Sequence, residues 1–168
     1  MPTINELRGL PVINLSTGEQ IGEVKDVVID TANYRLVGVL LSRAGWFHTG
    51  RGILLGGMKN IGPESITIED ETAIVSAEAL AAGGRTILNE DIIGKDLVTA
   101  EGNIVGTLSD VLLDVKSGLL TGYEVSDSVI GDLLEGRSNI PLPAQQRIGE
   151  DAVIVPAKEQ QVEVNKTG

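Results

Sequence analysis

Residues 18–41 read GEQIGEVKDVVIDTANYRLVGVLL, and residues 102–125 read GNIVGTLSDVLLDVKSGLLTGYEV. Laid over one another without a gap, at a displacement of 84, they match at Gly18 and Gly102, Gly22 and Gly106, Asp26 and Asp110, Val27 and Val111, Asp30 and Asp114, Leu36 and Leu120, and Gly38 and Gly122. Landmarks on either side keep the same order. Upstream, Leu7-Arg8-Gly9 answers Ile92-Ile93-Gly94 after a one-residue slip. Downstream, IGPESITI from Ile61 answers IGEDAVIV from Ile148 at a displacement of 87. Self-similarity at this length marks a duplicated structural unit, and it precedes every other inference about the fold.

Each copy reads as β structure. Val24, Val27, Val28 and Ile29 run into Asp30, and Leu36-Val37-Gly38-Val39-Leu40-Leu41 follows after the turn residues Asp30-Thr31-Ala32-Asn33. The second copy repeats this with Lys116-Ser117-Gly118 in its turn. Short β-branched runs every 8–12 residues, with no long amphipathic helix between them, predict antiparallel meanders rolled into a small barrel or sheet and disfavour a parallel α/β fold. Gly22 and Gly106 fall inside strand-like runs, where glycine marks a bulge, a sharp bend or a close backbone crossing. The chain therefore divides into a first unit at 1–75, a connector at 76–87, a second unit at 88–157 and a polar tail at 158–168 that is expected to fray. In the connector, Ser76 is a candidate cap, Ala77-Glu78-Ala79-Leu80-Ala81 has high helix propensity, and Gly83-Gly84 ends the run.

Composition narrows the function classes. The 168 residues are 42% apolar, enough to build a core in two small domains. Residues 1–84 carry 6 Lys and Arg against 10 Asp and Glu, and residues 85–168 carry 7 against 14, so neither half is basic. Neutralising phosphates requires clustered cations, so direct nucleic-acid binding is not expected. Without cysteine, and with His48 as the single imidazole, neither a thiol nucleophile nor the usual triads nor a structural zinc site can be assembled in one chain. The N-terminus lacks the basic and apolar regions of a signal peptide, and no apolar run approaches the roughly 18 residues of a membrane span. The expectation is a cytoplasmic, non-enzymatic protein with no cofactor.

With both copies laid out, the pattern Gly-x-x-x-Gly-x-Val/Leu-x-Asp-Val, then Asp and a turn, then Leu-x-Gly, then Ile-Gly-x-Glu/Asp-x-Ile/Val, resembles the PRC-barrel domain, twice over, at about residues 4–75 and 88–157. The arrangement is similar to tandem two-domain bacterial members of that family. The resemblance implies two small all-β barrels. It also implies docking behaviour, because such domains occur in the photosynthetic reaction-centre H subunit and at the C-terminus of the ribosome maturation factor RimM. It supplies no catalytic residues. The implied function is a non-enzymatic adaptor for protein partners, and docking at the edge of a membrane complex stays open. Its alternatives are a ribosome- or RNA-processing-associated factor and a small-molecule or metal binder.

One local feature stands out. The loop Ser42–Gly52 holds Trp46 and Phe47, two of only four aromatic residues, together with His48, Arg43 and Arg51. Aromatic and arginine side chains on a glycine-rich loop suit an interface anchor, and they suit equally a cap over a barrel mouth. The matching stretch Ser126–Arg137 replaces the aromatics with Ile130, Leu133 and other aliphatics, adds acids, and ends on Arg137. Candidate partner-binding residues are thus Arg43, Trp46, Phe47 and Arg51 in the first copy, with Ile130, Leu133 and Arg137 in the second. His48 has no second ligand within its loop and reads as a solvated side chain. Asp26 with Asp30, and Asp110 with Asp114, sit four apart, so that on a regular strand each pair faces one side. They read either as carboxylate pairs for a divalent ion or as local turn residues.

Overall fold

The structure, a computed structural model, describes residues 2–42, 50–82, 86–126, 137–141, 147–149 and 151–155; side chains are described at 2–42, 50–82, 91–126, 148–149 and 151–155. In chain order the elements are α1 (Ile4–Leu7), β1 (Pro11–Asn14), β2 (Gln20–Asp30), β3 (Arg35–Ser42), β4 (Arg51–Leu54), β5 (Asn60–Ile61), β6 (Ile66–Ile68), β7 (Ile74–Ser76), α2 (Ala77–Ala81) and β8 (Thr86–Leu88). There follow α3 (Asn89–Ile92), β9 (Asp96–Thr99), β10 (Ile104–Leu113), β11 (Leu120–Ser126), β12 (Arg137–Pro141), β13 (Arg147–Ile148) and β14 (Ala152–Val155). The protein is all-β with a few single-turn helices. It forms two compact units, one of Met1–Glu90 with Leu113–Leu119 and one of Asp91–Leu112 with Leu120–Gly168.

In the first unit the strand order is β5-β6-β1-β2-β3-β4-β7, and β8 also pairs with β2. β2 is long enough to hold two neighbours on one side: β1 lies against Gln20–Glu23 and β8 against Val28–Asp30. Gly22 marks the bulge expected of it. The β1–β2 register slips between Val12 and Ile13, opposite Gly22 and Gln20, and a Cβ on Gly22 would lie 2.7 Å from the Ser42 carbonyl oxygen. The second unit repeats the slip, between Ile104 and Gly106 of β10.

Both units depart from a pure antiparallel meander in the same way. β6 runs parallel to β1, with Val12 opposite Ile66, and β14 runs parallel to β9, with Leu97 opposite Val153. The short antiparallel pairs β5–β6 and β13–β14 turn the chain back so that its return strand meets the first strand in the same direction. The order in the second unit is β12-β11-β10-β9-β14-β13.

Burial alternates along β1, β6, β9 and β14, whereas Asp26, Val27, Val28 and Ile29 of β2 are all buried. In the first unit Val12, Val24, Val27, Ile29, Val39, Ile53, Ile66 and Ile68 form the core, closed at one end by Ile4 and Leu7 of α1. That four-residue helix exists because Thr3 and Glu6 make a capping box, in which the Thr3 amide donates to the Glu6 carboxylate at 3.0 Å and the Glu6 amide to the Thr3 hydroxyl at 3.4 Å. In the second unit Leu97, Val105, Leu108, Val111, Val125, Val153 and Val155 pack around Tyr123, a fully buried aromatic.

The segment read as a connector is part of the first unit's packing. Ala77–Ala81 is helical as expected, and Ser76 occupies the N-cap position, but its side chain makes no capping hydrogen bond. The helix is held instead by Leu80, which is buried over two glycines of the sheet. A Cβ on Gly38 would lie 2.7 Å from Leu80 Cδ2, and one on Gly52 would collide with Leu80 Cδ1. Tertiary burial therefore supplies what the missing cap does not.

Candidate interaction surface

The aromatic loop leaves the sheet at the end of the β3–β4 hairpin. Gly38, Val39 and Leu40 pair with Leu54, Ile53 and Gly52, so the chain exits after Ser42 and returns at Arg51. Both of these residues are exposed. The returning end is fixed by β7, whose Ser76 lies opposite Arg51, and by the Ala77 amide, which donates to the Gly50 carbonyl at 2.7 Å. Arg51 thus stands exposed at a strand start anchored on β7. Arg43, Trp46, Phe47 and His48 lie outside the described residues.

The second unit builds the same hairpin. Gly122 through Ser126 pair in register with Pro141 back to Arg137, so the diverged stretch of the second copy leaves at the equivalent place. Arg137 opens β12 opposite Ser126; its side chain, and all of Ile130 and Leu133, lie outside the described residues.

The repeated aspartates resolve into backbone ligands. Asp30 accepts from the amides of Ala32 at 2.8 Å and Asn33 at 3.1 Å, and from the Asn33 side-chain amide at 2.8 Å. That side-chain bond, the two backbone bonds and the charge of Arg35 hold its carboxyl below the usual range against the opposing effect of partial burial. Asp114 accepts from the Lys116 amide and the Ser117 hydroxyl, each at 3.0 Å, and is lowered for the same reason, the Lys116 amide first. These are Asx-turn roles. Asp26 and Asp110 instead turn back on the next residue, each accepting at 2.8 Å from the amide of Val27 or Val111. Asp26 is buried, with Arg8 Nε at 3.9 Å. Among the described residues no three or more His, Cys, Asp or Glu side chains gather as a metal site would need.

One feature escaped the sequence reading. The first unit has an open cleft of about 730 Å³ lined by Pro2, Leu7, Leu10, Ile61, Pro63 and Val115 among others. Among the described residues, the charged side chain on its wall is Glu6, whose carboxylate already holds the Thr3 amide. Among the described residues, the cleft offers mainly apolar contact, without the convergent polar groups of a small-molecule site. Its residues come from positions 2 to 115, and no local pattern in the sequence links them.

The geometry defines a class first: a tandem all-β protein in which one sheet design is built twice and carries a differing loop each time. The PRC-barrel domain model matches residues 2–75 and 85–162, and the chain belongs to that family. It is similar to the uncharacterized protein YrrD of Bacillus subtilis, 27% identical over 139 residues, a match that covers 82% of this chain and 77% of that protein. An uncharacterized protein of Clostridium acetobutylicum is 28% identical over 81 residues, covering 45% of this chain and 93% of that protein, the extent of a single copy. Among the described residues, no helix is long and apolar enough to cross a membrane.

Proposed function

We propose that this protein is a non-enzymatic, cytoplasmic adaptor that docks onto other proteins through the loops its two hairpins present. The observation that carries this reading is the pairing of constancy with divergence. The β3–β4 and β11–β12 hairpins keep the same register, while the residues between their strands change from aromatic and basic to aliphatic and acidic. Arg43, Trp46, Phe47 and Arg51 form one contact surface, and Ile130, Leu133 and Arg137 a second of different specificity. Two tethered, non-identical surfaces let one chain engage two partners, or one extended partner, more tightly than either copy alone.

The test is capture from a bacterial lysate by the intact chain and by the Trp46→Ala/Phe47→Ala variant. The expected result is loss of a small set of proteins with the melting temperature nearly unchanged. A large drop in melting temperature makes the aromatics core residues and removes the loop from the site. Capture dominated by ribosomal proteins, sensitive to salt, replaces the general adaptor with a ribosome-associated factor. A melting shift on adding a metal ion or a small ligand points to the third class.

A further inference from the structure

The cleft of the first unit runs on into a second opening of about 540 Å³, lined by Leu55, Met58, Lys59 and Lys116 among others. The two openings share Ile61 and Val115, so they form one groove within this unit. Among the described residues, its charged lining is Glu6 at one end and Lys59 with Lys116 at the other. Glu6 is taken up by the capping box of α1. Lys59 lies 3.6 Å from Glu69, but both side chains are exposed and such a pair is weak. Lys116 is exposed beside Asp114, whose carboxylate serves its own turn.

The second unit treats the matching positions differently. Val12, opposite Ile66, answers Leu97, opposite Val153, and this displacement of 85 puts Lys95 in the place of Leu10. Ile61 answers Ile148, and this displacement of 87 puts Gly149 in the place of Gly62. There Lys95 Nζ donates to the Gly149 carbonyl at 2.7 Å and ties the two positions together. Leucine cannot make that bond, and in the first unit Leu10 and Gly62 both line the cleft. In sequence, Met58 and Pro63 likewise answer Gln145 and Glu150. The apolar lining is therefore particular to the first copy.

We propose that this groove docks an extended peptide segment of a partner protein in which apolar side chains are followed by acidic ones. The apolar part lies over Leu10, Ile61 and Val115, and the acidic part meets Lys59 and Lys116. Charge complementarity sets the sign and the direction: in a chain of net charge −11, the groove ends on two ammonium groups. Because the groove is open, a peptide keeps its backbone hydrated while its side chains are buried, whereas an acyl chain would leave much of its length in water.

The test uses the full-length protein and two short blocked peptides. Both begin with the same leucine- and valine-rich half; one continues with a run of aspartates and the other with a run of lysines. The acidic peptide is expected to shift the backbone amide resonances of Leu10, Gly62 and Lys116 saturably and to leave those of Lys95 and Gly149 in place. The basic peptide is expected to bind about tenfold more weakly, and the acidic peptide to lose about tenfold in affinity for the Lys59→Glu/Lys116→Glu variant, whose substitutions fall on exposed side chains. The Trp46→Ala/Phe47→Ala variant is expected to bind the acidic peptide unchanged, so this groove and the loop surface stand or fall separately. Equal affinity for the two peptides, or no saturable shift up to about 1 mM, overturns the proposal. Shifts at the same amides from lauric acid but not from the acidic peptide overturn it as well, and would make the occupant an acyl chain.

Discussion

The two hairpin tips, Asp30–Tyr34 and Asp114–Gly118, start from the same local instruction and end in different surroundings. Each opens on an aspartate that binds the backbone two residues on, and each closes on a residue with positive φ, 53° at Tyr34 and 75° at Gly118. At Tyr34 a bulky side chain tolerates the left-handed conformation. At Gly118 it could not. The Gly118 carbonyl accepts from the Leu36 amide at 2.7 Å, the Ser117 carbonyl accepts from Arg35 Nη2 at 3.3 Å, and a Cβ on Gly118 would collide with Leu55 Cδ2. All of these residues lie in the first compact unit. The difference teaches that turn chemistry sets the backbone path, whereas close packing decides which side chain that path tolerates.

The comparison breaks most directly at Gly118. Gly118→Ala is expected to cost about 1–3 kcal/mol, since it combines a left-handed β-carbon with a collision, and urea denaturation of the full chain measures it. A cost no larger than that of an alanine at position 34 would show that the Leu55 contact does not constrain the turn. Next come the aspartates. Their folded-state pKa values lie below those of the unfolded chain, so their contribution is present above about pH 4 and is lost as pH falls through the lowered values. Asp30→Asn and Asp114→Asn should therefore each lower stability at neutral pH and flatten its fall in acid, and melting temperatures from pH 7 down to about pH 2 would check this. An unchanged acid limb in both variants would mean that the Asx bonds carry no net stability. The smallest effect is expected for Tyr34→Gly. Relief of the left-handed backbone offsets the greater flexibility of glycine in the unfolded chain, leaving a change within about 1 kcal/mol. A larger loss would reveal side-chain packing by Tyr34 that the comparison leaves out.

Much of this was legible along the chain. The duplication, the all-β class, the bulges at Gly22 and Gly106 and the turn aspartates all rest on spacing or on chemistry within a few residues, and such interactions travel with the local sequence. The parallel return of β6 and β14 was not legible, because the direction in which a strand meets a distant neighbour is set by the path between them and not by its own alternation. Nor was the docking of Leu80 over Gly38 and Gly52. The alanine-rich run around it reads as a helix in any setting, and only a sheet surface bared of side chains explains why it is held there. Of the candidate loop, Arg51 is exposed at the first residue of β4.

The sequence by itself determined that this protein is one β design written twice, with Asx turns at matching places and loops that part company in charge and aromaticity. Those properties follow from side-chain period and from hydrogen bonds to near neighbours. Only the tertiary structure decided that the helix after β7 belongs to the first sheet, that a β-carbon at Gly118 would meet Leu55, and that Pro2, Ile61 and Val115 share one cleft. Each of these depends on atoms brought together from far along the chain, where close packing rather than local preference selects the outcome.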